Sequence, residues 1–583
     1  MRTPNYDKYP YVEVKGYEDN AWSEYKNIID ELNKKINTMG RKNVVVTVDC
    51  YPGVKEQEVL TALLEGIKPS LLIKSEEAAF SGDKITNMIS RNLTDDRVFG
   101  VLSCHNLEEF FDTDRINQFR VQIKENQGIT LIYGVGAVLI DKGDVLVFAD
   151  LARWEIQQRY RRKELANWQL DNYDEDILRK YKRAFFVEWR VADRHKKKLF
   201  EEIDYLLDTN VYDEPKLITG EALCQGLKNT VTRPFRVVPF FDPGVWGGQW
   251  MKEVCELNNE VENYAWCFDC VPEENSLYLK YGDIIVEIPS INAVLYQPKT
   301  LLGDKVHARF GAEFPIRFDF LDTMGGQNLS LQVHPLTEYI QENFGMHYTQ
   351  DESYYILDAK EEVDVFIGLK EGIDKVEMID DLRRAQRGEI SFPDEKYVNR
   401  FPAKKHDHFL IPAGTVHCSG ANSMVLEISA TPYIFTFKLW DWDRIGLDGL
   451  PRPVHIEHGK EVIQWDRTTE WVKENLVNRV EAIEEGNGWR EERTGLHERE
   501  FIETRRHWFT KTVMHDTNGG VQVLNLVEGE EAIVESPDNS FEPFIVHYAE
   551  TFIVPAAVGK YTISPYGKSE GKEIATLKAY VRV

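Results

Sequence analysis

The chain lacks any long apolar run, and this absence bears on membrane insertion. No segment of its 583 residues approaches the roughly 20 consecutive apolar residues that a helix needs to cross a bilayer. The N-terminal stretch MRTPNYDKYPYVEVKGYEDN is polar and has no apolar core of the kind found in secretory signals. We therefore expect a protein that neither spans a membrane nor is secreted.

Positive charge is in short supply relative to negative charge. Lys and Arg number 70 against 97 Asp and Glu, which leaves a formal net charge of −27. A surface of this sign repels nucleic-acid phosphates and anionic lipid headgroups, so the composition argues against nucleic-acid and membrane-surface partners. An anionic ligand such as a sugar phosphate would need a locally basic pocket.

Cysteine is also sparse. The seven cysteines are scattered and odd in number, which argues against a disulfide framework and for a reducing compartment. The cytoplasm is therefore the expected location. Cys267 and Cys270 form a single CxxC in WCFDC, but no second pair follows at zinc-ribbon spacing. We interpret them as ordinary thiols of a packed segment rather than as a redox or metal site.

Residues 1–215 alternate apolar strands with helical patterns. KNVVVTVDC predicts a buried strand, EQEVLTALLEGI an amphipathic helix, and GITLIYGVGAVLI a strand, a turn and a second strand. DVLVFAD predicts another strand, which leads into the helical pattern of LARWEIQQRYRRKELANWQL. Strands that alternate with helices predict a parallel α/β sheet with both faces covered.

From about residue 230 the pattern changes to short strands and turns. LSLQVHP, EEVDVFIGL, HFLIPAG and SMVLEIS predict an antiparallel sandwich or barrel, interrupted by a helical insertion near residues 375–400. The multidomain organisation that we predict has four parts: an α/β domain at 1–215, a metal-binding all-β domain at 216–456, a charged, helical linker at 457–500, and a smaller β domain at 501–583.

Four residues of the second part have the chemistry of a metal site. In LSLQVHP, the period of two along a strand places Gln332 and His334 on one face and the aliphatic residues on the other. Glu352 begins the strand of DESYYILDA, and a Pro-Gly turn in HFLIPAGTVHCSG delivers His417. QVH alone is also compatible with a partly buried polar strand face. Together the four side chains suit Zn²⁺ with an open position, or another divalent transition metal.

The order of these segments resembles the type I mannose-6-phosphate isomerases. QVHP, a Glu opening the YILD strand, and IPAGTVH follow one another as in that family, and VPFFDPGVWGGQWM, FPIRFDFLD and LWDWDRIGLDGLPRPVHIE resemble its flanking segments. The resemblance covers about residues 230–583. It implies a metal-binding cupin, which is a double-stranded β-helix, followed by a metal-free cupin-like domain in which IVPAAVGK echoes LIPAGTVH.

The resemblance also implies a reaction. Family members interconvert an aldose phosphate and a ketose phosphate by moving a proton between C2 and C1 through a cis-enediol, at a metal. By resemblance, Gln332, His334, Glu352 and His417 would hold that metal. The implied activity is a metal-dependent isomerase for mannose 6-phosphate and fructose 6-phosphate, or for a related sugar. The alternative is a non-catalytic, sugar-binding regulator.

Three positions depart from the family pattern. The family's lysine in the strand before QVHP falls on Asp319, and its lysine before the metal-binding Glu falls on Gln350. The arginine of its TYR-x-YDWDR segment falls on Lys438, which keeps the charge but loses the bidentate fork. We expect Lys438 and Arg317, two residues before Asp319, to act in catalysis. Whether the sugar is phosphorylated stays open at this point.

The N-terminal part resembles a P-loop nucleoside kinase whose phosphate loop has degenerated. Of G-x-x-x-x-G-K-[ST], only Gly53 and Lys55 remain, and Glu56 stands near the hydroxyl position. We predict a scaffold, docking or regulatory domain for an unknown protein partner, with an unusual kinase as the alternative. The arginines of the following helix are predicted to form a solvated face: Arg153, Arg159, Arg161 and Arg162.

Overall fold

The computed structural model describes residues 4–360, 363–430, 435–447, 449, 451–495 and 497–583. It divides into two compact units, which are described separately. The N-terminal unit comprises Tyr11–Thr230 and Pro272–Gln297; the C-terminal unit comprises the chain up to Pro10, Val231–Val271 and Pro298–Val583. Within the ranges given above, no helix has both the length and the apolar character that crossing a bilayer demands.

Residues 4–297, all of which the structure describes, contain twelve strands and twelve α-helices. The strands are β1 (Tyr11–Glu13), β2 (Ala21–Ser23), β3 (Val44–Cys50), β4 (Leu71–Lys74), β5 (Ile129–Gly134), β6 (Val145–Asp150), β7 (Tyr205–Asp208), β8 (Lys216–Thr219), β9 (Phe240–Asp242), β10 (Trp266–Cys270), β11 (Ser276–Tyr281) and β12 (Ile284–Pro289). The helices are α1 (Tyr25–Thr38), α2 (Glu56–Ile67), α3 (Gly82–Met88), α4 (Ser90–Leu93), α5 (Thr113–Glu125), α6 (Ala137–Ile140), α7 (Arg153–Arg161), α8 (Ile177–Arg183), α9 (Trp189–Lys196), α10 (Gly220–Thr230), α11 (Trp250–Val254) and α12 (Ile291–Tyr296).

A seven-stranded sheet forms the core of the N-terminal unit, in the order β2-β8-β7-β6-β3-β5-β4. The five strands from β7 to β4 in that order are parallel, and β8 and β2 are antiparallel additions at one edge. Strands β6 and β3 lie at the centre of this sheet; all residues of β6 and six of the seven residues of β3 are buried, as expected for strands covered on both faces. The predicted parallel α/β sheet is confirmed.

The N-terminal unit differs from the prediction in its extent and in one element. It continues past residue 215, because β8 pairs with β7 and α10 follows directly. It also includes β11, β12 and α12, which come from a stretch that we had placed in the all-β domain. The predicted strand after β5 is wrong: residues 137–140 form helix α6, because the Asp49 carboxylate accepts hydrogen bonds from the backbone N–H groups of Gly136 and Val138.

The predicted solvated face of α7 is wrong for two of its four arginines. Arg153 and Arg159 are each only 1% exposed. Arg153 is ion-paired with Asp193 and with Glu273, and Arg159 donates to backbone carbonyl oxygens, including that of Gly53 at 2.8 Å. Sequence periodicity cannot distinguish these arginines from exposed ones, because their carboxylate and carbonyl partners lie far away along the chain.

The second half of the chain is rich in β-strands. The strands are β13 (Ile316–Asp322), β14 (Leu331–Val333), β15 (Glu352–Ala359), β16 (Val363–Leu369), β17 (Val398–Ala403), β18 (His408–Ile411), β19 (His417–Ser419), β20 (Ser423–Ala430), β21 (Phe437–Trp440), β22 (Glu481–Gly486), β23 (Trp489–Gly495), β24 (Ile502–Phe509), β25 (Val513–Asp516), β26 (Gln522–Glu528), β27 (Glu531–Glu535), β28 (Phe544–His547), β29 (Thr551–Val554), β30 (Lys560–Pro565) and β31 (Ile574–Val581). The helices are α13 (Pro298–Leu302), α14 (Asp304–Phe310), α15 (Thr337–Phe344), α16 (Lys375–Gln386), α17 (Asp394–Tyr397), α18 (Ile456–Val462) and α19 (Thr469–Asn475).

Two antiparallel sheets form the first β-domain of the C-terminal unit. The larger has the order β18-β15-β20-β13-β10-β9, and the smaller has the order β17-β16-β19-β14-β21. The predicted helical insertion is present as α16 and α17, between β16 and β17. Side chains from both sheets meet at the site described below.

Two further antiparallel sheets form the second β-domain, in the orders β22-β23-β24-β31-β26-β29 and β25-β30-β27-β28. They enclose an apolar core that includes Phe509, Leu524 and Phe552. The similar segments IVPAAVGK and LIPAGTVH end at Lys560 and His417, which are the first residues of β30 and β19. The sequence similarity therefore corresponds to equivalent strand starts.

The prediction of a helical linker at 457–500 is wrong for its second half. Residues 456–475 do contain α18 and α19, but β22 and β23 form a hairpin around Asn487 and Gly488, a common turn pair. β23 pairs with β24, and β22 is exposed along its whole length. The high charge therefore reflects a solvated edge strand.

Candidate metal centre

The structure brings all four predicted ligands together between the two sheets of the first β-domain. Gln332 lies on β14 directly opposite His417, the first residue of β19. His334 follows β14, and Glu352 is the first residue of β15. In the part of the chain that the structure describes, His334, Glu352 and His417 are the group whose potential ligand atoms lie within 4.8 Å of one another, and all three are fully buried.

Hydrogen bonds to backbone carbonyl groups fix how the two imidazoles face the centre. Nδ1 of His417 lies 2.8 Å from the carbonyl oxygen of Thr415, and Nδ1 of His334 lies 3.2 Å from that of Phe435. A carbonyl oxygen only accepts, so each Nδ1 carries a proton, and in the neutral imidazole, the form that binds a metal, Nε2 then keeps a lone pair. Metal-binding histidines are commonly oriented by such an outer hydrogen bond.

Both lone pairs point at the carboxylate. Nε2 of His417 lies 2.7 Å from Oε1 of Glu352, and Nε2 of His334 lies 3.1 Å from Oε2. With both protons on Nδ1, the converging atoms of His334, Glu352 and His417 are all acceptors, and Nε2 of His334 and Oε1 of Glu352 are without a hydrogen-bond partner among the described groups. Buried acceptors that face one another require a cation or a donor between them. The donor set therefore fits a divalent metal.

Two amide side chains border the carboxylate. The Gln332 amide nitrogen lies 3.1 Å from Nε2 of His417, and a half-turn of that amide exchanges its nitrogen for its oxygen. The Gln350 amide nitrogen donates to Oε2 of Glu352 at 3.3 Å. Gln332 can thus present an oxygen ligand, while Gln350 orients the carboxylate.

The charged groups around the centre have perturbed acidities. Burial acts to raise the pKa of Glu352, but the positive charge of the imidazoles in their protonated form, which a metal would replace, outweighs it and holds that pKa below its usual range. Burial raises the pKa of Asp319 to about 7, against the opposing effect of Arg317. Burial, reinforced by Glu352, also raises the pKa of Glu427 well above its usual value. The interior beside the centre therefore disfavours additional negative charge.

Of the two predicted catalytic residues, Lys438 lies on the strand next to a ligand, and Arg317 lies two strands from one. Arg317 on β13 faces Ser429 on β20, and Ser429 in turn faces Glu352. Arg317 forms an ion pair with Asp319. Lys438 on β21 is paired with Gln332, and burial, followed by the charge of Arg452, lowers its pKa to about 7.

One site residue was missed by the sequence analysis, and one nearby histidine lies outside the site. His347, five residues before Glu352, has a 70% exposed side chain and lies 3.6 Å from Glu313. Glu427, which the sequence analysis did not single out, lies opposite Asp319 and opposite Tyr354. A lone acidic residue within the apolar strand SMVLEIS was the signal that could have identified it.

Comparisons with known proteins divide the chain in a similar way. A family model described as a domain of unknown function (DUF8485) matches residues 24–232. Mannose-6-phosphate isomerase ManA of Bacillus subtilis (strain 168) is 25% identical over 240 residues, which are 40% of this chain and 69% of that protein. The probable mannose-6-phosphate isomerase GmuF of the same strain is 30% identical over 235 residues, again 40% of this chain and 69% of that protein.

Solved structures are similar at lower identity. The crystal structure of the mannose 6-phosphate isomerase from Bacillus subtilis covers 60% of this chain and 100% of its own, with 18% sequence identity and a TM-score of 0.48. The structure of a putative mannosephosphate isomerase from Archaeoglobus fulgidus covers 59% of this chain and 98% of its own, with 16% identity and a TM-score of 0.43.

Proposed function

Because this chain belongs to the mannose-6-phosphate isomerase family, we propose that its C-terminal unit is a metal-dependent aldose–ketose isomerase. The proposed reaction converts mannose 6-phosphate into fructose 6-phosphate, or interconverts a related pair of sugars, through a cis-enediol. One observation carries the proposal: the two Nε2 lone pairs of His334 and His417 converge on the buried carboxylate of Glu352.

Gln332, His334, Glu352 and His417 would hold the metal, and zinc suits this donor set. When bound, the metal supplies Lewis-acid stabilisation of the negative charge that develops on a substrate oxygen. The two facing antiparallel sheets that carry these ligands fit the cupin barrel expected from the resemblance.

The charged neighbours of the ligands suit two roles. Lys438, which faces Gln332 across the strand pair, can donate a hydrogen bond to a sugar oxygen and compensate negative charge there. Arg317 holds Asp319 in place, so that this carboxylate faces the interior of the barrel in a fixed orientation. We propose Lys438 as a catalytic residue and Arg317 as a positioning residue.

For the N-terminal unit we propose a kinase-like scaffold without nucleotide chemistry. In an open parallel sheet, ligands bind beyond the carboxyl ends of the strands, at the point where the strand order reverses, which here is β3. The lysine that follows this strand, Lys55, lies 2.7 Å from Glu164. Lys196 lies 3.0 Å from Asp150 at the end of β6, and both are buried. The two lysines that could contact a phosphate at this edge of the sheet are therefore already paired with carboxylates.

A turnover assay tests the proposed isomerase. The protein is stripped of metal, reloaded with zinc, and incubated with mannose 6-phosphate, fructose 6-phosphate, mannose and fructose, with and without chelator. The proposal predicts interconversion of at least one pair, abolished by the chelator and restored by zinc. No interconversion of any sugar, with one metal bound per chain, would instead favour the non-catalytic sugar-binding regulator.

A further inference from the structure

A second row of polar side chains lies next to the row that contains Glu352. Strand register defines the ligand row as Arg317, Ser429 and Glu352, and the second row as Asp319, Glu427 and Tyr354. Alternate residues of a strand share a face, so both rows face the interior of the barrel, roughly 7 Å apart along the strands. A substrate held at the metal centre therefore lies beside the second row.

The second row presents two carboxyl groups and one phenol hydroxyl. Asp319 and Tyr354 are fully buried, and Glu427 is 6% exposed. Within the described part of the chain, Oδ1 of Asp319 and Oε1 of Glu427 have no hydrogen-bond partner. Buried acceptors of this kind are normally satisfied by a donor. The donor that fits a sugar site is a hydroxyl group.

Apart from Lys438, which is assigned to a sugar oxygen above, three nearby cations are arginines engaged by protein groups. Arg317 is ion-paired with Asp319, and Arg444 lies 2.6 Å from Asp441. The guanidinium of Arg467 donates to the carbonyl oxygens of Pro412 and Ala413, at 2.6 and 2.7 Å. A phosphate dianion would have to displace these partners, or lie against the carboxylates of Asp319 and Glu427. Charges of the same sign repel strongly at such depth.

We infer that the site selects an unphosphorylated aldose and ketose, whose hydroxyl groups donate to Asp319 and Glu427, over the corresponding sugar phosphates. The inference rests on the proposed isomerase function. Hydroxyl groups both donate and accept, so they can pair with Asp319 and Glu427 whether these carboxyl groups are ionised or protonated, whereas a phosphate dianion only accepts and brings two further negative charges into a buried acidic interior. Asp319 and Glu427 are thus residues that determine specificity for a neutral sugar.

The test compares kcat/KM for mannose and for mannose 6-phosphate with the zinc-loaded full-length protein. We expect kcat/KM to be at least about tenfold higher for mannose, since buried groups left unpaired or repelled are strongly discriminating. Asp319→Asn releases Arg317 and should narrow that ratio several-fold, mostly by raising kcat/KM for mannose 6-phosphate. Glu427→Gln is a second variant, for which the same ratio of kcat/KM values is measured. It keeps the inference testable if Asp319→Asn does not fold. Asp364→Asn, which changes a half-buried acid on β16, is the matched control and should keep the wild-type ratio.

The outcomes separate this inference from the proposed function. Higher kcat/KM for mannose 6-phosphate than for mannose overturns the inference and leaves the isomerase in place. A ratio that is unchanged in every folded variant at Asp319 and Glu427 overturns the assignment of specificity to these residues. Turnover of neither sugar, with zinc bound, refutes the proposed function and the inference together.

Discussion

Oε1 of Glu352 lies 2.7 Å from Nε2 of His417, a nitrogen that carries no proton when Nδ1 donates to the Thr415 carbonyl. Two acceptors at this distance repel unless a cation lies between them. The Pro-Gly turn and the short strand β19 thus place His417 against the buried carboxylate of Glu352, an arrangement that suits metal binding. The first prediction concerns this metal.

Zinc should stabilise the fold through His334. At a free zinc concentration about a thousand times Kd, binding to the native state alone adds about 4 kcal/mol to the free energy of unfolding. We therefore expect zinc to raise the Tm of the wild type, and His334→Ala to lose both the rise and the bound metal. His347→Ala, at an exposed position, is the control and should behave as the wild type. Retention of one tightly bound zinc per chain by His334→Ala would contradict the ligand set.

Arg153 should be critical for the stability of the N-terminal unit. Arg153→Met removes the buried cation that pairs with Asp193 and Glu273. These carboxylates are left with Tyr51 and Arg190 as partners, and breaking a buried ion pair in this way typically costs about 3–5 kcal/mol. Arg161→Met, in the same helix at an exposed position, removes a cation–π contact with Trp154, worth about 0.5–1 kcal/mol. Urea unfolding of the two variants measures the difference. Equal destabilisation by both would show that the buried ion pairs do not support the unit.

Two buried histidines should make the second β-domain sensitive to acid. Burial lowers the pKa of His507 to about 4, and burial together with Lys578 lowers that of His515 well below its usual value. Both are neutral in the folded protein, while the unfolded chain binds protons near pH 6.5, so stability is lost as the pH falls from about 6.5 towards 4. Each histidine contributes about 1.4 kcal/mol per pH unit in that window.

His507→Gln tests this acid sensitivity, because it removes one titrating group. Urea unfolding at pH 7, 6 and 5 gives the free energy of unfolding of the wild type and of the variant. As the pH falls, this free energy should decrease less in the variant than in the wild type. His347→Gln, at the exposed site, provides the reference slope. A difference that does not change with pH would refute the assignment.

The N-terminal unit should not bind nucleotide. Lys55 and Lys196 are held by Glu164 and Asp150, so an incoming triphosphate finds no uncommitted lysine at these two positions. Isothermal calorimetry with Mg-ATP should give no saturable heat at millimolar concentration, and Lys55→Ala should leave isomerase kinetics unchanged. A saturable heat that disappears in Lys55→Ala would revive the kinase alternative.

The metal ligands could be predicted from sequence because strand alternation and one turn were enough to place them. Gln332 and His334 follow from the period of two, and His417 follows from a Pro-Gly turn. Arg153 and Arg159 could not be placed in the same way, because their burial depends on partners that only the tertiary fold supplies. The hairpin of β22 and β23 was missed because its edge strand is solvated and charged, a pattern shared with exposed helices.

The charge balance of the pocket also required the structure. The sequence places Arg317 and Asp319 on one face of a strand, which is compatible with a basic pocket or with an internal ion pair. The ion pair between them, and the position of Glu427 opposite Asp319, decide in favour of an acidic interior.

The most direct test of the metal-dependent isomerase is a zinc titration of the stripped protein in D₂O, with sugar turnover followed by NMR. The account predicts that the rate of aldose–ketose interconversion rises linearly to one zinc per chain and then stops. The proton that moves between C2 and C1 can exchange with D₂O during its transfer. To the extent that it does, deuterium should appear at the carbon that receives it. Interconversion that is absent when one zinc is bound, or undiminished when zinc is removed, would contradict the account.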